Sequence, residues 1–284
     1  MNLLEGRVAL ITGGARGQGR AHALTCAKAG ADVVLVDIAD QLSTVDYAMA
    51  RPDDLSHTVK EVEALGRRAL AFPADVRDQA ALDEVVANAL DRFGHLDILI
   101  ANAGIWTRAP FWELTDEMWD QMIGVNLTGV WRSAKAVAPH MISNQRGSIV
   151  VTSSINGLEA GRQYAHYAAA KHGLIGLMKS IALELSPHGV RCNAVCPGAI
   201  RTPMTDHQAA WDMFAGHEGG TEQEMIEGGY HNHALKGATF LPPQTIADAA
   251  LYLNSDLASA VTGVALPVDA GHLLLPGVNP EPVR

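Results

Sequence analysis

The chain has 284 residues, 48% of them hydrophobic, with 31 acidic against 21 basic side chains and a formal net charge of -10. That length buries a sizeable core, and the apolar share excludes a mainly disordered chain. The acidic balance excludes a general nucleic-acid binder, and no window of about 18 uncharged apolar residues offers a membrane span. Glu5 and Arg7 interrupt the first apolar stretch, so no signal peptide is expected. Three cysteines cannot all pair within the chain. Cys192 and Cys196 are spaced C-x3-C with no second pair nearby, which favours buried thiols over a metal site. No metal is expected, and the expected location is cytoplasmic.

Residues 8–11 (Val-Ala-Leu-Ile) have the pattern of a strand buried on both faces. A Gly-rich turn at 12–19 follows, then a helix over 20–30 stopped by Gly30, then a second buried strand at 32–37. The alternation continues with a helix at 55–65, a strand at 68–73, a helix at 80–93 and a strand at 96–100. Residues 115–140 predict one long helix, its start allowed to be irregular. A strand at 147–152, a helix at 164–185 and a strand at 190–195 come next. The last elements are a helix at 245–253 and a strand at 263–268. This order predicts an α/β fold, a doubly wound parallel sheet with helices on both faces, in a single domain spanning 1–284.

Two stretches break the rhythm. Residues 39–54 lengthen the connection after the second strand and read either as a binding loop or as surface decoration. Residues 203–243, rich in Gly and His, read as a substrate lid. His231 and His233 within it are expected to be solvated polar residues.

Gly13, Gly17 and Gly19 sit where the first strand turns into the first helix. Such a loop lets backbone approach a pyrophosphate, and the helix N-terminus offers free N–H groups. No Gly-Lys-Ser/Thr follows, so it is not a P-loop. Asp37 ends the second strand, where an acid binds adenosine ribose hydroxyls and repels a 2′-phosphate, favouring NAD over NADP. Arg16 pulls the other way if it faces a 2′-phosphate. It can instead pair with Asp37 or with solvent.

Tyr167-Ala-Ala-Ala-Lys171 places a phenol and an ammonium on one helix face. An ammonium held close stabilises a phenolate, which a phenol with an ordinary pKa near 10 needs in order to act as a base. Ser154 lies just past a strand end, where a hydroxyl reaches a substrate oxygen.

With these residues in place the sequence resembles the classical short-chain dehydrogenase/reductase family over roughly residues 5–271. The carrying motifs are the Gly loop, Asp75-Val76, Asn102-Ala103-Gly104, Asn126, Ser154, Tyr167, Lys171, and Pro197-Gly198 with Thr202. Ala101 stands where the family usually has Asn. The resemblance implies a Rossmann-like, seven-stranded sheet. It implies Tyr167 as general acid/base, Ser154 polarising the substrate oxygen, Lys171 on the nicotinamide ribose, and Asn126 holding a relay water. It further implies nucleotide contacts from Gln18, Ile38, Asp75, Val76, Asn102, Ala103, Gly104, Pro197, Gly198, Ile200 and Thr202.

Within the family the sequence is most similar to the carveol dehydrogenase-like, mycofactocin-coupled branch. The carrying stretches are Ala-Arg-Gly-Gln-Gly-Arg20, Val-Asp-Ile38, the extra segment before Pro52-Asp-Asp-Leu55, and Leu-Pro-Val-Asp-Ala-Gly271. That branch implies that segment 39–54 folds over NAD and slows its exchange, with an external redox carrier reoxidising NADH.

The candidate pocket residues, on loops beyond the strand C-termini, are Ile105, Trp106, Ile155, Asn156, Gln163, Tyr164, Met204, Trp211 and Phe214. Trp106, Trp112 and Trp211 near this mouth suggest an apolar alicyclic or terpenoid secondary alcohol, whereas Trp119 reads as helix packing. The expected function is an NAD-dependent alcohol dehydrogenase. The alternatives are an NADPH-dependent ketone reductase and a non-catalytic nucleotide-binding redox sensor. The resemblance implies a homo-oligomer, most often a tetramer. The Pro-containing tail at 273–284 is left open between reaching a neighbour and staying loose.

Overall fold

Short runs of β-branched and aliphatic residues form the sheet because both of its faces are covered. The computed structural model describes residues 2–284. The strands are β1 Val8–Thr12, β2 Asp32–Asp37, β3 Ala69–Pro73, β4 Ile98–Ala101, β5 Gly147–Thr152, β6 Val190–Pro197 and β7 Ala265–Val268. They pair in parallel in the order β3-β2-β1-β4-β5-β6-β7. Every residue of β1, β2, β4 and β5 is buried, whereas the edge strands β3 and β7 are largely half-buried.

Between the strands lie α1 Gly17–Lys28, α2 Pro52–Ala64, α3 Gln79–Phe93, α4 Asp116–Ile123, α5 Gly129–Ser143 and α6 Ala165–Leu185, with α9 Pro243–Asn254 before β7. Their ends follow local rules. Asp78 caps α3 by accepting from the Ala80 amide at 2.9 Å, and Gly94 closes it in the left-handed conformation that an L side chain resists.

Alternation along each strand divides the interior into two layers. Leu10, Val34 and Leu99 lie in register and pack with α5 and α6 residues such as Val137, Met141, Leu174 and Met178. Ile11, Val33, Leu35 and Ile100 pack on the other face with Ala23, Cys26 and Ala27 of α1. Cys192 and Cys196 are buried free thiols on β6.

The long helix expected over 115–140 is divided. A π-helical turn at Gly124–Thr128 separates α4 from α5, and α5 runs on to Ser143. A Cβ at Gly129 would lie 2.6 Å from Val76 Cγ2, so the chain approaches the loop after β3 very closely there. Segment 203–243 is more than loop. It contains α7 Gln208–Ala215 and α8 Glu222–Tyr230. The tail turns back onto this segment: the Gly237 amide donates to the Val283 carbonyl at 2.7 Å, and Arg284 pairs with Glu227.

Strand order reverses between β1, which continues to β2, and β4 on its other side. In open parallel sheets the crevice above such a point, beyond the strand C-termini, is where ligands bind.

Candidate active site

Thr12 at the end of β1 fastens the two sides of that crevice. Its buried hydroxyl accepts from the amides of Asn102 and Ala103, both at 3.1 Å, and Asn102 Nδ2 donates to the Thr12 carbonyl at 3.1 Å. The Gly loop then packs directly on this junction. Gly13 has φ +66, and a Cβ there would sit 2.9 Å from Ala103 Cα. A Cβ at Gly19 would sit 1.8 Å from the Gly13 carbonyl oxygen, which no side chain tolerates. Arg16 at the start of α1 gives no side-chain cap, leaving the first-turn amides without that partner.

Asp37 ends β2 beside this loop. Its two oxygens accept from the Ala15 and Ala39 amides, both at 3.1 Å. Burial pushes its carboxyl above the usual range, while these donors and nearby Arg16 act in the opposite sense. Arg16 itself donates to the Ala48 carbonyl at 2.5 Å, in segment 39–54. That segment buries Leu42, Val45 and Tyr47, and Leu42, Tyr47 and Met49 border the cavity.

Tyr167 and Lys171 lie one turn apart on α6. Lys171 is buried, its Nζ donating to the Thr152 carbonyl at 2.7 Å and lying 5.5 Å from the centre of the Tyr167 ring. Ser154 leads into a 3-10 turn at Ile155–Gly157. Its Oγ accepts from the Asn156 amide at 3.1 Å. Burial dominates both titrating groups: the Tyr167 hydroxyl is pushed up to about 12 and the Lys171 ammonium down to about 8, while Ser154 works to lower the tyrosine. Asn126, in the π-turn, is fully buried. Its Oδ1 accepts from the Ile105 amide and its Nδ2 donates to the Ile105 carbonyl, each at 2.8 Å.

A cavity of about 450 Å³ joins these parts. Gly13, Arg16, Gly17, Gln18, Asp37, Ile38, Asp75 and Val76 border one region, and Asn102, Ala103 and Gly104 adjoin it. Ser154, Tyr167 and Lys171 border it with Pro197, Gly198, Ile200 and Thr202. Trp106, Ile155, Asn156, Tyr164, Met204 and Phe214 complete the expected wall.

Sequence, architecture and this grouping point one way, and comparison with known proteins agrees. The sequence model of the short chain dehydrogenase family matches residues 7–213. The chain belongs to the short-chain dehydrogenase family. It is 45% identical over 278 residues to (-)-trans-carveol dehydrogenase of Rhodococcus erythropolis, covering 96% of this chain and all of that protein. The fold matches the crystal structure of carveol dehydrogenase from Mycobacterium avium in complex with NAD, with a TM-score of 0.93 and 41% identity over 96% of this chain and 99% of that one. A short chain dehydrogenase from Mycobacterium paratuberculosis bound to NAD matches with a TM-score of 0.86 and 39% identity, again over 96% and 99%.

Not every expected residue reaches the cavity of this short-chain dehydrogenase scaffold. Gly19 and Asn126 stand behind the cavity wall, Gly19 against the Gly13 carbonyl and Asn126 behind Ile105. Trp211 does not line the cavity. On α7 it is turned about 100° from Ala210, which lines the cavity with Met213 and Phe214, and it donates to Asp206 at 3.2 Å. Gln163 is outside as well, held by Arg108, whose Nη2 donates to Gln163 Oε1 at 2.6 Å. Trp112 is 72% exposed and stacks edge-on against Phe111, and Trp119 is 44% exposed rather than packed. His233 is not solvated. It is 1% exposed and borders the cavity. Glu159, Met213 and His272 also line the cavity. No local sequence pattern marks them, although Tyr47 could have been noticed as the one aromatic in segment 39–54.

Proposed function

We propose that this protein is an NAD-dependent oxidoreductase interconverting a secondary alcohol and a ketone, the substrate being a small alicyclic or terpenoid, carveol-like alcohol. The observation that carries this reading is that Ser154, Tyr167 and Lys171 meet on the wall of the same cavity that Asp37 borders. The residues present fit a dinucleotide. A Cβ at Gly13 would strike the chain after β4, so this loop keeps backbone where a pyrophosphate needs it. Asp37 retains acceptor capacity for ribose hydroxyls and repels a 2′-phosphate. Arg16, engaged by the Ala48 carbonyl, favours no second reading in which it selects NADP. The NAD complexes of the two similar structures support the same cofactor.

In the oxidative direction Tyr167 takes the hydroxyl proton of the substrate. Ser154 donates to the substrate oxygen as charge develops on it, because the Ser154 oxygen already accepts from Asn156 and its proton is free to be given. Lys171 holds its Nζ 5.5 Å from the centre of the Tyr167 ring, where a positive charge favours a phenolate. Asn126 fixes the loop at Ile105 by pairing with both its amide and its carbonyl. Bound NAD supplies the hydride acceptor and a positive charge on its nicotinamide ring. Trp106, Ile155, Tyr164, Met204 and Phe214 exclude water around the reacting carbon.

Segment 203–243 serves as a lid and segment 39–54 as a cover for the nucleotide, with an external redox carrier as the partner that reoxidises it. The active form is a homo-oligomer, a tetramer by the family resemblance. The exposure of Trp131 on α5 and Leu183 on α6 supports a contact there.

The test begins with protein purified without added nucleotide and then denatured. Release of stoichiometric NAD or NADH, seen by mass spectrometry, is expected. Bound NADP would overturn the cofactor assignment. Alcohol oxidation, followed with an artificial electron acceptor, should fall by roughly 10²–10⁴-fold in Tyr167→Phe, while nucleotide content is retained. Unchanged turnover would remove Tyr167 from the chemistry.

A further inference from the structure

We propose that Arg108, which lies outside the cavity, is a positioning residue that sets the width of the substrate chamber, its guanidinium tying α7 to the bend that carries Tyr164. This rests on the alcohol–ketone reading above and deepens it, because that width selects the bulk of the alcohol's ring.

The stretch after β4 runs beside the start of α6 and is fastened to it at successive residues. Thr107 Oγ1 lies 2.9 Å from His166 Nε2, and both residues are buried. The Ala109 amide donates to the Gln163 carbonyl at 2.7 Å, and Arg108 Nη2 donates to Gln163 Oε1 at 2.6 Å. These two bonds account for an otherwise unfavourable backbone. Gln163 has φ +67, in the left-handed region that a non-glycine residue keeps only where its surroundings enforce it. The ring that follows is set as closely. A Cβ at Gly161 would lie 1.8 Å from Tyr164 Cε2, so the bend from 161 to 164 is folded around that ring. Tyr164 borders the cavity, its ring centre 6.1 Å from that of Trp106 and 6.2 Å from that of Tyr167, edge-on to the latter.

The other arm of Arg108 reaches a different element. Nη1 donates to the Ala209 carbonyl at 3.1 Å, in the first turn of α7. From the same helix Ala210, Met213 and Phe214 border the cavity, whereas Arg108, Gln163 and Ala209 do not. One guanidinium thus joins two walls of the chamber from behind. A planar fork offers two donors in fixed, divergent directions, which an ammonium on a flexible stem does not. Arg108 Nε is buried without a partner, so the charge is kept there at a cost in hydration that the two Nη bonds offset.

The experiment compares cyclohexanol with 4-tert-butylcyclohexanol, which differ only in bulk carried on the ring. Oxidation is followed with NAD-loaded enzyme and phenazine methosulfate, in wild type, Arg108→Met, Arg108→Lys and Gln163→Leu. The quantity read is the kcat/KM ratio of the bulky to the small alcohol, alongside amide hydrogen exchange by mass spectrometry. Arg108→Met should move the ratio toward the bulky alcohol by about tenfold, chiefly through KM, with nucleotide content retained. Arg108→Lys, which keeps at most one arm, and Gln163→Leu should move it less. The double variant Arg108→Met with Gln163→Leu should go no further than Arg108→Met, since Gln163 acts through the same guanidinium. Exchange should quicken within 161–164 and 208–215 and stay unchanged in the sheet. A ratio within about twofold of wild type in Arg108→Met would overturn the proposal, as would an equal fall in kcat for both alcohols, or exchange that quickens throughout the chain. Should Arg108→Met not fold, the ratios and exchange of Arg108→Lys and Gln163→Leu still decide. If no alcohol is oxidised in a Tyr167-dependent way, the reaction reading fails separately, and hydrogen exchange still tests the tie made by Arg108.

Discussion

Burial of Lys171 lowers its ammonium from an ordinary 10.5 to about 8, a differential on the order of 3 kcal/mol against the charged form. The folded value lies below the unfolded one, so between pH 8 and 10.5 the unfolded chain binds more protons and stability rises with pH. Below about pH 8 the cost is fully present. Lys171→Met should therefore abolish turnover without lowering the melting temperature at pH 7, any gain being offset in part by the unpaired Thr152 carbonyl. Thermal melts from pH 7 to 10 check this, and a loss of stability that is constant with pH would contradict it. At the other end of the cavity, Asp37→Ala removes the carboxylate opposing a 2′-phosphate but also strands the Ala15 and Ala39 amides. It should narrow the preference for NAD over NADP by roughly ten- to a hundredfold, the equivalent of 1.4 to 3 kcal/mol. Competition binding of the two nucleotides measures it. No change would place the discrimination elsewhere.

At the scale of elements, spacing carried much of the site. Tyr167 and Lys171 were legible because positions four apart share a helix face wherever the helix docks. Trp211 was not legible. Which side of α7 faces the cavity depends on how that helix packs, and the choice fell on Ala210, Met213 and Phe214. The π-turn at Gly124–Thr128 was hidden for a related reason: residues 115–140 keep helical periodicity on both sides of it, and only the close approach of Gly129 to Val76 exposes the break. The turn from β1 into α1 is less forgiving than its Gly-rich composition alone suggests. Gly19→Ala places a methyl group 1.8 Å from the Gly13 oxygen, so backbone must move. Loss of nucleotide retention and a destabilisation of about 1–3 kcal/mol are expected, read by urea denaturation and nucleotide content. Wild-type behaviour in both would mean that the loop is looser than this packing implies.

Across the whole molecule, the tail, segment 203–243 and the cavity wall are joined by hydrogen bonds and ion pairs. Residues 279–284 contact segment 203–243 through Asn279 on His231 and His233, through Val283 on Gly237, and through Arg284 on Glu227 and the Tyr230 ring. None of these groups belongs to the sheet. Removing residues 278–284 should therefore leave the melting temperature within a few degrees, while speeding proteolysis within 203–243 and raising KM several-fold. Limited proteolysis with mass mapping tests this, and an unchanged cleavage rate would show that segment 203–243 stands without the tail.

The sequence by itself determined the order of the strands, the family, and where along the chain the Gly loop, Ser154, Tyr167 and Lys171 stand. Each of these rests on periodicity, on local turn chemistry, or on motifs kept at set spacings along the chain. The tertiary structure alone decided that His233 is enclosed, that Trp112 is exposed, that Arg16 turns to the Ala48 carbonyl, and that the tail folds back onto segment 203–243. Those outcomes depend on contacts between residues tens to hundreds of positions apart. No local pattern encodes them, because burial belongs to the packed molecule and not to the residue.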